Sequence, residues 1–300
     1  MAEKKKTTKS KSHKPHVCHD MLPKNEAQLL EWAEIAKSIN PHNAPEFSSA
    51  ATAALLSSVC VVGSEDVREF TPLDMASLTT ARWKVGDEIT FGFMRASERI
   101  ATHVRDAVET LKPYVNLKFR EVDASVAKVR ITDFEQGAYS YLGVHALGIP
   151  RNQETMNLAR SWADLATTIH EWCHALSMIH EHQSPARPDD FWNEAAVYRA
   201  YGGPPNNWPR EQVKSNVIDR YSKDSVNYTE LDLKSIMLYP LEASLLKNPS
   251  FATGWNKKLS DKDKEFLQKI YPFPDAPPPP PPDSLEVVIP RSGKWVYKTG

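Results

Sequence analysis

The alternation of apolar and polar positions sharpens at Trp83. Beyond it Ile89, Phe91 and Phe93 alternate with Thr90, Gly92 and Met94, which predicts a half-buried strand. Ile100, Val104, Val108 and Leu111 then recur at helical spacing, and Pro113 ends that helix. Residues 117–122 and 128–134 predict two more strands, and the Gly/Ser/Tyr-rich stretch after them leads into a loop. Further helices are predicted at 162–176, 189–200, 210–221 and 261–271. The last opens on Ser260 with Asp263 three places on, a capping-box pattern, and offers Phe266, Leu267 and Ile270 for burial. Upstream, Leu29, Trp32, Ile35 and Ala36 predict a short amphipathic helix over 28–39.

These patterns divide the chain. Residues 1–20 carry no hydrophobic period and read as a disordered basic tail, and 21–80 as a partly helical extension. The folded unit spans 81–272. Residues 273–283 form a Pro-rich linker and 284–300 a C-terminal tail. The run Pro277–Pro282 is a stiff spacer or a ligand for a proline-reading domain.

Charge narrows the partners. Lys+Arg number 37 against 38 Asp+Glu, a balance that argues against a nucleic-acid or membrane-surface binder. No run approaches the ~18 apolar residues of a membrane helix. Six lysines crowd the first fourteen residues with no apolar stretch behind them, so no secretory signal is read and a cytoplasmic location is the default expectation. The three cysteines, Cys18, Cys60 and Cys173, are too few for a disulfide framework and too dispersed for a four-thiolate zinc site.

The chemistry concentrates in a histidine cluster: His170, His174, His180 and His182. On a helix His170 and His174 project from one face a turn apart, a spacing that suits zinc at about 2.0–2.1 Å from each nitrogen. Glu171, rotated by one residue, can take a proton from a metal-activated water without binding the ion. His180 lies six residues past His174, so the chain must bend to return it. Three histidines and one open position make a catalytic rather than a structural zinc site, one that lowers the pKa of water from about 15.7 towards about 7. His182 is assigned to a hydrogen bond, and Cys173, about 100° round the helix from His174, to an inert buried thiol.

His170-Glu171-x-x-His174-x-x-x-x-x-His180 resembles the metzincin zinc-peptidase signature HExxHxxGxxH. Ser235-Ile236-Met237-Leu238-Tyr239 resembles the family's Met-turn, and Glu181 directly after the third histidine resembles the astacin-like branch. The segments HEHQSP, YRAYGGPPNNWPREQV and LSDKDKEFLQKIYP are similar to microbial relatives of astacin, over roughly 81–272. The resemblance implies an α+β, two-lobed catalytic domain. Its upper lobe holds a twisted mixed sheet and the zinc helix; its lower lobe is mainly helical or irregular. It implies one Zn²⁺ on His170, His174 and His180, Glu171 as general base, and Tyr239 as a movable fifth ligand that stabilises the transition state. The expected activity is that of a monomeric zinc endopeptidase acting on peptides or proteins laid along an edge strand near Val129–Ile131 and Tyr139–Gly143. The alternative is a catalytically weak or silent zinc module that binds peptides or a protein partner. Two departures stand out. Ser177 replaces the motif glycine whose positive φ turns the third histidine back, and a serine there is strained. The family's disulfide cysteines and its pro-segment aspartate switch are also missing, so zymogen control is not carried over.

Overall fold

The computed structural model describes residues 18, 21, 23, 26–43, 81–135, 137–204, 206–220 and 230–274. The basic tail apart from Cys18, all of 44–80, the proline run and the C-terminal tail lie outside the described residues.

Helix α1 (Glu26–Ile39) precedes strand β1 (Glu88–Arg95), helix α2 (Glu98–Leu111) and strands β2 (Lys118–Glu121), β3 (Val129–Thr132), β4 (Tyr139–Ser140) and β5 (Met156–Asn157). Helices α3 (Leu165–Ala175), α4 (Glu194–Tyr201), α5 (Arg210–Val213) and α6 (Asp261–Ile270) follow. The sheet is mixed, in the order β2-β1-β3-β5-β4. β1 runs parallel to both β2 and β3, and β3 parallel to β5, while β4 pairs antiparallel with β5. Only Tyr139–Ser140 of the two expected edge segments lies at the edge, because β3 is flanked on both sides.

β1 is more buried than its alternation implies. Residues 89–92 are all buried, since the strand has neighbours on both sides and helices beneath. Gly92 is required there: a Cβ would sit 2.5 Å from the Val122 carbonyl oxygen. Helix α2 buries Ile100, Val104, Val108 and Leu111, the stripe read from the sequence, together with Ala101 and Ala107. Helix α3 is pinned under the sheet by Trp172, whose fully buried ring meets Phe91 and Phe119 edge-on at 5.6 and 5.7 Å. Burying such a side chain contributes about 2–3 kcal/mol.

Two apolar clusters form the lobes. The upper unites the sheet, α2 and α3 with Met237 and α6. The lower gathers Phe191, Trp192, Val197, Tyr201, Val213, Val217, Leu238 and Tyr239. The 235–239 turn therefore bridges them, with Met237 above and Tyr239 below.

Two helices depart from their predicted bounds. The 189–200 helix begins only at Glu194, where the Asn193 side chain accepts from the Ala196 N–H. Ahead of it, Trp192 pairs in extended form with Leu246. The 210–221 helix stops at Val213 and widens into a π turn, Lys214–Ile218. That turn frees two carbonyls for the lower wall of the site: Ser215 accepts from Gln183 Nε2 at 2.7 Å, and Asn216 bonds His182 Nε2 at 3.0 Å.

Candidate metal centre

Helix α3 starts cleanly. Asp164 caps it, accepting from the Thr167 N–H at 2.9 Å. His170 and His174 share the face turned to the lower lobe, and both are buried. The helix closes in a Schellman motif. The Met178 N–H donates to the Cys173 carbonyl at 2.9 Å and the Ser177 N–H to that of His174 at 2.8 Å. Ser177 holds the left-handed position with φ 72°. It does what the family's glycine does, and adds a tether: its Oγ donates to the Ala81 carbonyl at 2.7 Å.

The helix end is capped from afar as well. Trp83 Nε1 donates to the Ala175 carbonyl at 2.8 Å and Tyr271 Oη to that of Leu176 at 3.2 Å. These bonds fix the bend that returns His180, which is fully buried.

The three imidazoles converge. His180 Nε2 lies 3.3 Å from His170 Nε2 and 3.2 Å from His174 Nε2. His170 Nδ1 meets the Ile236 carbonyl at 2.8 Å, and His174 Nδ1 that of Met178 at 2.7 Å. A carbonyl only accepts, so both Nδ1 atoms carry protons and both Nε2 atoms present lone pairs. Both lone pairs lie within 3.3 Å of His180 Nε2, so a cation among the three nitrogens can be shared by all of them. A tetrahedral ion with metal–nitrogen bonds of about 2.0–2.1 Å sets neighbouring nitrogens about 3.3–3.4 Å apart. The donor set therefore fits zinc.

The 235–239 turn supports this cluster from below. Asp263, in the first turn of α6, completes the capping box with Ser260. Its carboxylate also accepts from Ser235 Oγ at 2.6 Å and the Ile236 N–H at 2.8 Å. Ile236 in turn holds His170, so the capping box reaches the metal site through one residue. Burial pushes the Asp263 carboxyl above its ordinary range. Glu181 is tied to the same frame: its N–H donates to the Met237 carbonyl at 3.0 Å and its Oε1 accepts from the Asp232 N–H at 2.7 Å. Burial raises its pKa to about 7.

Tyr239 is buried beside His180, with ring centroids 4.6 Å apart, and His182 packs into the same corner, 4.2 Å from Tyr239 and 5.2 Å from His180. His182 is not among the residues whose ligand atoms cluster; Cys18 is. The ligand atoms of Cys18, His170, His174 and His180 all lie within 4.8 Å of one another. The thiol donates to Glu171 Oε2 at 3.3 Å, and Tyr239 Oη donates to the Cys18 carbonyl. Sequence reasoning placed Cys18 in a featureless tail. It missed Asp263 as a support for the turn, although the capping box it belongs to was legible.

The model of the astacin peptidase family matches residues 75–271. The chain belongs to the astacin family. Two solved structures of myroilysin are each 36% identical to it. One has a TM-score of 0.60 and covers 64% of this chain and 96% of that chain; the other has a TM-score of 0.50 and covers 65% and 87%. High choriolytic enzyme 1, a hatching enzyme zinc-protease from Oryzias latipes (medaka fish), is 20% identical with a TM-score of 0.46, over 64% of this chain and 94% of its own. A search of curated proteins finds no match. As an astacin-family member the chain is a zinc metallopeptidase, and its mixed sheet with helices is that of the family.

Proposed function

We propose that this chain is a zinc endopeptidase in which His170, His174 and His180 hold the ion, Glu171 is the general base and Tyr239 stabilises the oxyanion. The spacing of the three Nε2 atoms carries the reading. Bound zinc supplies a Lewis acid and lowers the pKa of water to about 7. Glu171, one residue round the helix from His170 and buried, takes the proton of the attacking water and returns it to the leaving amine. Tyr239 Oη donates to the oxygen on which charge develops. The peptide extends along β4, whose outer edge is unpaired among the described strands. The alternative of a silent zinc module rests on Ser177 and the Pro-rich tail; the tail lies outside the described residues, and Ser177 adopts the left-handed conformation that the bend needs.

The test pairs metal content with hydrolysis. Because Cys18 lies over the histidines, casein hydrolysis is measured on the full chain and on its Cys18→Ala variant. One zinc per chain and hydrolysis abolished by phenanthroline are expected. Adding Glu171→Gln should keep the zinc and remove turnover; retained turnover would exclude Glu171 as the base.

A further inference from the structure

His182 is fully buried beside the candidate metal centre, yet it is not part of the cluster that could hold the ion. An imidazole is a costly way to fill such a place, because burial strips water from its polar nitrogens. We propose that His182 is a positioning residue for Tyr239: tied to the π turn, its ring fixes the tilt of the tyrosine and so the point its hydroxyl reaches. This rests on the peptidase reading, since only there does that hydroxyl have an oxyanion to meet.

The tie is directional. The Asn216 carbonyl can only accept, so His182 Nε2 carries a proton and donates to it at 3.0 Å. Neighbouring carbonyls of the same turn are taken by the same stretch of chain. Ser215 accepts from Gln183 Nε2 at 2.7 Å and Ile218 from Arg187 Nη2 at 2.6 Å. A regular α-helix would spend these carbonyls on its own ladder; the widened turn holds residues 182, 183 and 187 with them instead. Trp192, 3% exposed, meets the imidazole edge-on at 6.0 Å and lies under the Arg187 guanidinium at 5.7 Å. The His182 ring is therefore fixed by a bond and by packing.

That fixed ring bears directly on Tyr239. The two centroids lie 4.2 Å apart with the planes tilted by 39°, closer than the 4.6 Å between Tyr239 and His180. At 1% exposure Tyr239 cannot reorient without its neighbours giving way. Its hydroxyl is the far end of a lever whose ring His182 holds. A reacting group displaced by about 1 Å can lose about 10²-fold in rate, so a small change of tilt suffices to matter.

Two substitutions divide the device. His182→Phe keeps a ring against Tyr239 and loses the bond to Asn216; His182→Gln keeps a donor for that carbonyl and loses the ring. Both are made in the zinc-loaded Cys18→Ala chain and assayed on casein. Each should lower kcat by about 10–100-fold, with KM and the zinc content held. The same substitutions in the Tyr239→Phe background should lower kcat by less than about twofold further, because the hydroxyl they position is already gone. An unchanged kcat would overturn the proposal. So would an equal fold-loss in both backgrounds, which would mean that His182 acts apart from the tyrosine, and so would loss of zinc, which would place its role under His180. If urea unfolding shows that His182→Phe does not fold, His182→Gln decides by the same criteria. No hydrolysis by the zinc-loaded parent chain would sink the peptidase reading and this role with it; hydrolysis by the parent with unaffected His182 variants would sink this role alone.

Discussion

Ser177→Gly restores the family's usual residue, and its effect follows from opposing quantities. A non-glycine residue in the left-handed region costs about 1–2 kcal/mol, which the glycine recovers. Glycine also enlarges the freedom of the unfolded chain, at about 0.4–1 kcal/mol. It removes as well the Ser177 Oγ bond to the Ala81 carbonyl, 2.7 Å long and worth about 0.5–1.5 kcal/mol. The sum lies near zero. Ser177→Ala keeps the φ of 72° and loses the hydroxyl that bonds the Ala81 carbonyl and meets Tyr271, so it should destabilise by about 1 kcal/mol. Urea unfolding of the three proteins should therefore rank wild type and Gly together and Ala below them. Zinc affinity, by competition with a chromophoric chelator, should follow the same order, because the bend delivers His180. A Gly variant more stable than wild type by over about 1.5 kcal/mol, or an Ala variant equal to it, would refute the tether.

Asp263→Asn leaves three donors sharing one neutral oxygen; it should cost about 1.5–3 kcal/mol of stability and weaken zinc binding about 10–100-fold. Wild-type zinc affinity in that variant would disconnect the α6 capping box from the metal. Tyr239→Phe, made in the Cys18→Ala chain, should lower kcat by about 10²–10³ with little change in KM; an unchanged kcat would take the hydroxyl out of the reaction. Burial depresses the His145 pKa from 6.5 to about 4. The unfolded chain therefore binds more protons across that window. Stability is fully present above pH 6.5 and is lost as the pH falls towards 4, by about 3 kcal/mol. His145→Gln should flatten that part of the pH–stability curve, and an unaltered slope would show that another group controls it.

Much of this was legible because period and motif agree. The α2 stripe, the Ser260–Asp263 cap and the His170–His174 pair each follow from local spacing, and local spacing is what a sequence displays directly. The fold departs where long-range packing overrides it. Residues 89–92 of β1 are all buried because β2 and β3 cover its edges, helices pack beneath it and the 122–124 backbone lies over Gly92, which no alternation within residues 89–94 could announce. The π turn at Lys214–Ile218 presents carbonyls to His182 and Gln183, about thirty residues away in the chain, and such partners carry no local signal. Ser177 looked like a weakness in the signature because only the glycine's conformational freedom is visible in sequence; its partner, the Ala81 carbonyl, is a backbone atom with no sequence signal. Cys18 was hidden for a similar reason, a single thiol in a polar stretch whose partners lie more than 150 residues on.

The capping of helix α3 has a consequence for biosynthesis. Its last carbonyls wait for Tyr271, and the turn beneath His170 waits for Asp263, both near the end of the described chain. A nascent polypeptide that has just emerged through His180 already possesses every imidazole, yet lacks the scaffold that aims them. The metal-gripping geometry thus draws on helix α6, so a chain ended before residue 263 should present its histidines without that support.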